Sequence, residues 1–331
     1  MNYYLTLDYE LFLGKNPGSV NNCLILPTEA LMKELDKFGV KATLFVDAAY
    51  LLRLKQLQDV SDILRDDYCR IREQINRLSQ SGHSIQMHFH PQWLYSDYKD
   101  EKWQMDFSHY KLEDMEYNAV DSLFPDSFFL LQSLTKNKIT SFRAGGYSLM
   151  DFARYKDLFK RLGISKDSSV LRHLSCNSIF QNYDFTKAPL KTHYSFSSSV
   201  VEEDKEGGMM EYPITTAPIS GIKTAIKLLL RKRNPQAVLK KWGDGESIGK
   251  ASNGDINRFV EHVKTLFISQ TLPASIDSGA LFLDDVAKLS LKDNEGDDVV
   301  LIGHPKNLNL LSLKNLGAFI NKSGANNFKV F

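Results

Sequence analysis

Short apolar runs that end in ionisable residues alternate with amphipathic segments along most of this chain, and that alternation limits the fold more than any other feature. "YYLTLDYE" (3–10) is short, aromatic and aliphatic, and ends in acids, as a buried strand does. "PTEALMKELDKFGV" (27–40) reads as a helix: Thr28 can cap it, Leu31, Leu35 and Phe38 share a face, and Gly39 can supply a left-handed final residue. "KATLFVD" (41–47) is a second strand. Residues 68–82 form a second helix, with Ile71, Ile75 and Leu78 at helical spacing and Gly82 as the stop. "HSIQMHFH" (83–90) is a third strand. The order strand, helix, strand, helix, strand is that of parallel β/α units. It continues with a helix near 113–135, "ITSFRAGG" (139–146) as strand and loop, and a helix at 151–162 ending at Gly163. Further strands follow at 164–170, 207–216 and 298–305.

Between 217 and 297 the pattern weakens. Residues 221–242 hold seven basic residues and no acid, 243–255 form a polar, Gly-rich loop, and 256–267 read as a helix. With no repeat and no evident linker, the expectation is one domain over 1–331 with a basic and Gly-rich insertion around 217–256. A chain of 331 residues can bury a full core. A net charge of +1 gives no general pull toward nucleic acid. Cys23, Cys69 and Cys176 are scattered and odd in number, which suits a reducing compartment. Asp8 and Glu10 break the first apolar run, no basic residue precedes it, and no window of about twenty apolar residues occurs. A cytoplasmic location is expected.

In parallel β/α folds, functional groups gather at the C-terminal ends of the strands. Here those ends carry Asp8 and Glu10, His88 and His90, Arg143, Asp167, and His304. His88 and His90 are two apart, so on a strand they share a face and Phe89 turns away. Two imidazoles and a carboxylate suit a divalent cation with open positions. A second carboxylate can take a proton from water, and a separate histidine can protonate a leaving group. That is an inventory for hydrolysis of an amide or ester. Plainer readings stand beside it: acids in a loop, a hydrogen-bonded histidine pair, a loop cation at Arg143, a packed turn residue at His304. His83 reads as structural, and His109, His173, His193 and His262 as surface or local hydrogen bonders.

Four stretches, "TLDYE", "GHSIQMHFHP", "FRAGGYS" and "VVLIGHP", occur in the order in which similar motifs occur in the polysaccharide deacetylases. These are also called the NodB-homology family or carbohydrate esterase family four, and the chain resembles a divergent branch of them. The resemblance spans 3–170 and 207–306. Its departures are specific: the motif histidines are two apart rather than four, the second acid of the opening motif is Tyr9, and the arginine loop lacks prolines and has its tyrosine late, at Tyr147.

The resemblance implies an α/β fold, a distorted (β/α) barrel of about seven parallel strands. It implies metal-dependent removal of an N-acetyl or O-acetyl group from a sugar, with zinc the first expectation and iron, nickel or cobalt the alternatives. By match, Asp8 is the general base, Glu10, His88 and His90 are ligands, and His304 is the general acid. Asp8 and Glu10 can exchange roles. Arg143 holds Asp8 by a paired hydrogen bond, and backbone N–H groups near Gly145 and Gly146 face the oxyanion. Trp93, Tyr95, Trp103 and Tyr147 form a saccharide platform or else pack the loops, and Asp167 joins the substrate-binding set. The expected substrate is a nucleotide- or lipid-linked sugar. The basic stretch 221–242 is either a solvated helix face or a peripheral contact with anionic lipid or a pyrophosphate-linked glycan. Two rival readings are a glycan-binding protein without turnover and another metal-dependent amidohydrolase. In amidohydrolase barrels the two-apart histidine pair sits on the first strand; here it is on the third. Nothing in the sequence sets an oligomeric state.

Overall fold

The computed structural model describes residues 1–231, 240–248, 269–293 and 295–331. Its centre is a curled, mostly parallel sheet. In chain order its strands are β1 (Asn2–Tyr9), β2 (Thr43–Asp47), β3 (Ser84–Phe89), β4 (Ser141–Ala144), β5 (Lys166–Asp167), β6 (Tyr194–Phe196), β7 (Met209–Glu211), β8 (Asp298–Gly303) and the short β9 (Phe328–Lys329). The spatial order is β6-β7-β5-β4-β3-β2-β1-β8, with β9 also beside β1. The β6–β7 pair is antiparallel, which departs from an all-parallel barrel. Just after β7, Thr215 N donates to Val300 O of β8 at 3.1 Å, so the chain curls back toward the opposite edge.

The β/α alternation holds, with shifted boundaries. Helix α1 (Leu26–Asp36) is entered through a π-helical turn at Asn21–Ile25, so Thr28 lies inside the helix, buried, and does not cap it. Helix α2 (Ala48–Leu57) follows β2 at once, capped by Asp47, whose carboxylate accepts from Tyr50 N. In "LFVDAAYLL" the residues on both sides of Asp47 are apolar, so hydrophobicity does not mark that boundary and the sequence reading passed over this helix. Helix α3 (Asp62–Gln80) begins earlier than expected because Ser61 Oγ accepts from Ile63 N at 3.2 Å. Helices α4 (Tyr117–Gln132) and α5 (Lys156–Leu162) follow, and Gly163 ends α5 in the left-handed region at φ 75°.

Strand β5 is much shorter than 164–170, because Ser168 and Ser169 leave the ladder and spend their side chains on Tyr212 O, Asp167 and Ala144 N. Of the basic stretch, helix α6 (Gly221–Arg231) is described. Its Lys223 and Lys227 both meet Asp285 of helix α7 (Leu283–Asp293), while Ile222 and Ile226 are exposed. The expected helix 256–267, with His262, and residues 249–255 of the Gly-rich loop lie outside the described residues. Among the described residues no helix is long and apolar enough to cross a membrane.

Register brings the functional strand ends level. Asp47, His88 and Arg143 are paired across β2, β3 and β4. Leu7 of β1 pairs with Gly303 of β8, one residue before Asp8 and His304 respectively. Away from this end, His83 is buried and its Nδ1 accepts from Ala42 N at 3.1 Å, in line with a structural role. Burial, helped by Lys41, depresses its pKa from 6.5 to about 4. A neutral buried imidazole contributes its full stability above the unfolded pKa, and that contribution falls away as pH drops from about 6.5 toward about 4. His83→Asn, which retains an acceptor for Ala42 N, is expected to flatten the acid loss of stability across that window in urea titrations. An acid limb identical to wild type would remove His83 from its causes.

Candidate metal centre and active site

The site assembles from the period of two on β1 and β3. Tyr9 turns into the protein, where its hydroxyl donates to Gln74 Oε1 at 2.8 Å, which leaves Asp8 and Glu10 facing the other way. Phe89 likewise packs inward against Phe124, and His88 and His90 face the acids with their rings in an edge contact at 4.8 Å. Glu10 Oε2 lies 3.2 Å from His88 Nε2 and 2.8 Å from His90 Nε2. The donor atoms of these three buried residues all fall within 4.8 Å of one another.

His88 Nδ1 is 2.7 Å from the carbonyl of Arg143. A carbonyl only accepts, so Nδ1 carries a proton, and Nε2, turned to the Glu10 carboxylate, is the nitrogen that would give up its proton to hold a cation. His90 Nδ1 is buried with no hydrogen-bond partner among the described residues. The backbone of Gly145 crosses directly over it: a Cβ there would lie 2.7 Å from Nδ1 and 2.5 Å from Phe89 O. Gly145 is therefore required by close approach to His90, and it does not line the cavity.

Asp8 is held on its other side. Arg143, fully buried, donates from Nη1 to Asp8 Oδ1 at 2.6 Å. The expected paired bond is a single one, because Nη2 is taken by Thr6 Oγ1 and Ser168 Oγ, and Nε by Ser168 O. His304 closes the site: its Nε2 is 3.6 Å from Asp8 Oδ2, and its Nδ1 is 2.7 Å from Asp277 Oδ2.

Electrostatics keep the two carboxylates charged. Burial pushes the Asp8 pKa up, but Arg143, His88 and His304 outweigh it and the net shift is downward. Burial likewise opposes the charge on Glu10, yet Lys306, His90 and the two histidine hydrogen bonds hold it well below the usual range. For His88, burial is overcome by the Glu10 hydrogen bond and the surrounding carboxylates, which raise it to about 9. His304 is also raised, burial being overcome by its bond to Asp277 and that carboxylate's charge.

Asp8, Glu10, His88, His90 and His304 line a cavity of about 440 Å³ whose other walls include Phe12, Tyr110, Tyr147 and Phe180. Gly146 and Tyr147 both line it, and both are in the left-handed region, at φ 60° and 61°. For a tyrosine that conformation is strained, and such strain clusters at functional sites.

Three expected substrate contacts fall elsewhere. Trp93 is fully buried against Tyr50 and Trp103, at ring distances of 4.4 and 5.1 Å, so it packs the loop rather than presenting a platform. Tyr95 stacks on His109 at 3.7 Å. Asp167 is fully buried, accepts from Ser169 and neighbours Glu211, behind the cavity rather than in it. The sequence reading missed Asp277, Lys306, Tyr110 and Phe180. Lys306 stood in view, two residues after His304 in "GHPK"; Asp277 lies where the β/α pattern fades.

The solved structures that resemble this chain include a provisionally assigned polysaccharide deacetylase, an acetyl xylan esterase and an allantoinase. A provisionally assigned polysaccharide deacetylase from Mycobacterium smegmatis is 14% identical, with a TM-score of 0.46 over 92% of this chain and 73% of that one. A family 4 acetyl xylan esterase from Clostridium thermocellum, solved with a cobalt ion, is 22% identical with a TM-score of 0.25, over 43% of this chain and 48% of that one. An allantoinase is 12% identical, with a TM-score of 0.42 over 99% of this chain and 86% of that one. No family model and no curated protein matches the chain. With TM-scores below 0.5, these likenesses add no weight to the functional reading, which rests on the site itself.

Proposed function

We propose that this chain is a metal-dependent deacetylase that hydrolyses an N-acetyl or O-acetyl group on a sugar or glycan intermediate. The observation that carries the reading is how the buried charges divide around one cavity. Glu10 faces two imidazoles, Asp8 is held by Arg143, and His304 is held by Asp277 within 3.6 Å of Asp8. The donor set fits a divalent cation: one carboxylate oxygen and two imidazole nitrogens converge, and the bond from His88 Nδ1 to the Arg143 carbonyl turns Nε2 toward them. Glu10, His88 and His90 would hold it. Zinc suits this mixed nitrogen and oxygen set first, and iron, nickel or cobalt suit it as well. Such an ion, when bound, polarises an acyl oxygen and acidifies water.

The protein's own groups supply the proton transfers. Arg143 engages Oδ1 of Asp8, so Oδ2 is the atom left to take a proton from the attacking water. His304, anchored through Nδ1, presents Nε2 to the cavity and donates to the departing nitrogen or oxygen. The ring of Phe180 packs edge-on to Tyr110 at 5.5 Å, and this aromatic wall suits the apolar face of a sugar. The proposed substrate is a nucleotide- or lipid-linked sugar, with the basic stretch 221–242 meeting its phosphates or an anionic membrane surface.

The test is to strip the protein with chelator, titrate it with Zn²⁺, and assay acetate release from a synthetic panel of nucleotide-linked, lipid-linked and polymeric acetylated sugars. One equivalent of Zn²⁺ and release from the linked sugars are expected, and Glu10→Ala and His88→Ala should each abolish uptake. Activity confined to long polymers would overturn the substrate class. A second reading, glycan binding without turnover, draws on the ion pair between Lys306 and Glu10, which by itself balances the carboxylate's charge. Failure to take up Zn²⁺, Fe²⁺, Ni²⁺ or Co²⁺ would favour it.

A further inference from the structure

The two oxygens of Glu10 serve different partners. Oε2 faces His88 and His90, while Oε1 accepts from Lys306 Nζ at 2.8 Å. Lys306 is only 5% exposed, and its Nζ also donates to Leu11 O at 2.6 Å and lies 5.0 Å from the centre of the Phe12 ring. Its backbone is pinned too. It sits in the helical turn Pro305–Asn307 directly after His304, and its carbonyl accepts from Gly243 N at 3.0 Å. A lysine is seldom so buried unless paired, and here the pairing is one-sided: the ammonium binds the oxygen that His88 and His90 leave alone, with His304 Nε2 farther off at 3.8 Å.

We infer that Lys306 is a positioning residue for the proposed ligand Glu10: it occupies Oε1, so that the carboxylate offers a cation the single oxygen Oε2. The inference rests on the metal reading above. Its consequence is economy of coordination. A carboxylate free at both oxygens can chelate, whereas one tied at Oε1 leaves another position on the ion for water or the acyl oxygen. The lysine also places a positive charge beside the site, which weakens cation affinity, so the chain accepts looser binding for an open coordination sphere.

Co²⁺ alone is the probe, because its visible d–d bands weaken as its coordination number rises. Titrations of the full chain at one pH compare wild type, Lys306→Met and Lys306→Gln, with folding checked by circular dichroism. Lys306→Met releases Oε1, and the expected result is weaker bands together with Co²⁺ affinity on the order of tenfold higher, from loss of the nearby charge. Lys306→Gln removes the charge but keeps an N–H for Oε1, so it should gain affinity while holding the wild-type band intensity. Variants indistinguishable from wild type in both readouts would overturn the inference while leaving the metal reading intact. If Lys306→Met does not fold, Lys306→Gln decides: weakened bands or unchanged affinity would overturn it. No Co²⁺ uptake by the wild type overturns the metal reading, and this inference with it.

Discussion

Asp8→Asn is expected to lower turnover of an acetylated sugar by about 10²- to 10⁴-fold, the usual contribution of a positioned general base. Asparagine matches aspartate in shape and leaves an oxygen for Arg143 Nη1, which now reaches Asp8 Oδ1 at 2.6 Å. What it loses is the basic Oδ2 that lies 3.6 Å from His304 Nε2. Because Asp8 is outside the converging donor set of Glu10, His88 and His90, uptake of one cation should survive. Measured together, acetate release and metal stoichiometry separate the two acids. Loss of turnover with metal retained identifies Asp8 as the base. Loss of metal would exchange the roles of Asp8 and Glu10, and full turnover would remove Asp8 from the chemistry.

Arg143→Met should cost about 3–5 kcal/mol of stability in urea denaturation, because it strands a buried carboxylate without its counter-charge. Arg143 and Asp8 are both almost inaccessible to water, and the guanidinium further satisfies Thr6, Ser168 Oγ and Ser168 O. Methionine fills similar volume against the Phe45 ring, over which the guanidinium now sits at 4.2 Å, but offers no donor. The double variant Arg143→Met with Asp8→Leu removes both charges, and most of the lost stability should return while turnover stays absent. A loss below about 1 kcal/mol in the single variant would mean that the pair is weakly coupled to folding, as exposed pairs are.

Much of the fold was legible because its signals are local. Runs such as 3–10 and 83–90 are apolar and short, and Gly39 and Gly163 do adopt the left-handed conformation that ends a helical segment. Where the expectation slipped, a non-local contact won. The strand read over 164–170 shrinks to Lys166–Asp167 because Ser168 and Ser169 bond to β4 and to the segment after β7. Trp93 carries the same sequence character whether it lines a cavity or packs a loop, and only the approach of Tyr50 and Trp103 settles which.

The site divides along the same line. The sequence alone determined that Asp8 with Glu10, and His88 with His90, share a face, since side-chain direction on a strand depends only on the parity of neighbouring positions. It also placed Arg143 and His304 at strand ends. Which charge answers which was decided only by the tertiary structure. Lys306 meets Glu10 across 296 positions because β1 lies beside β8, and Asp277 reaches His304 because the chain returns to that edge at Ser275–Ile302. Such pairings follow from strand neighbours and their register, which local spacing does not encode.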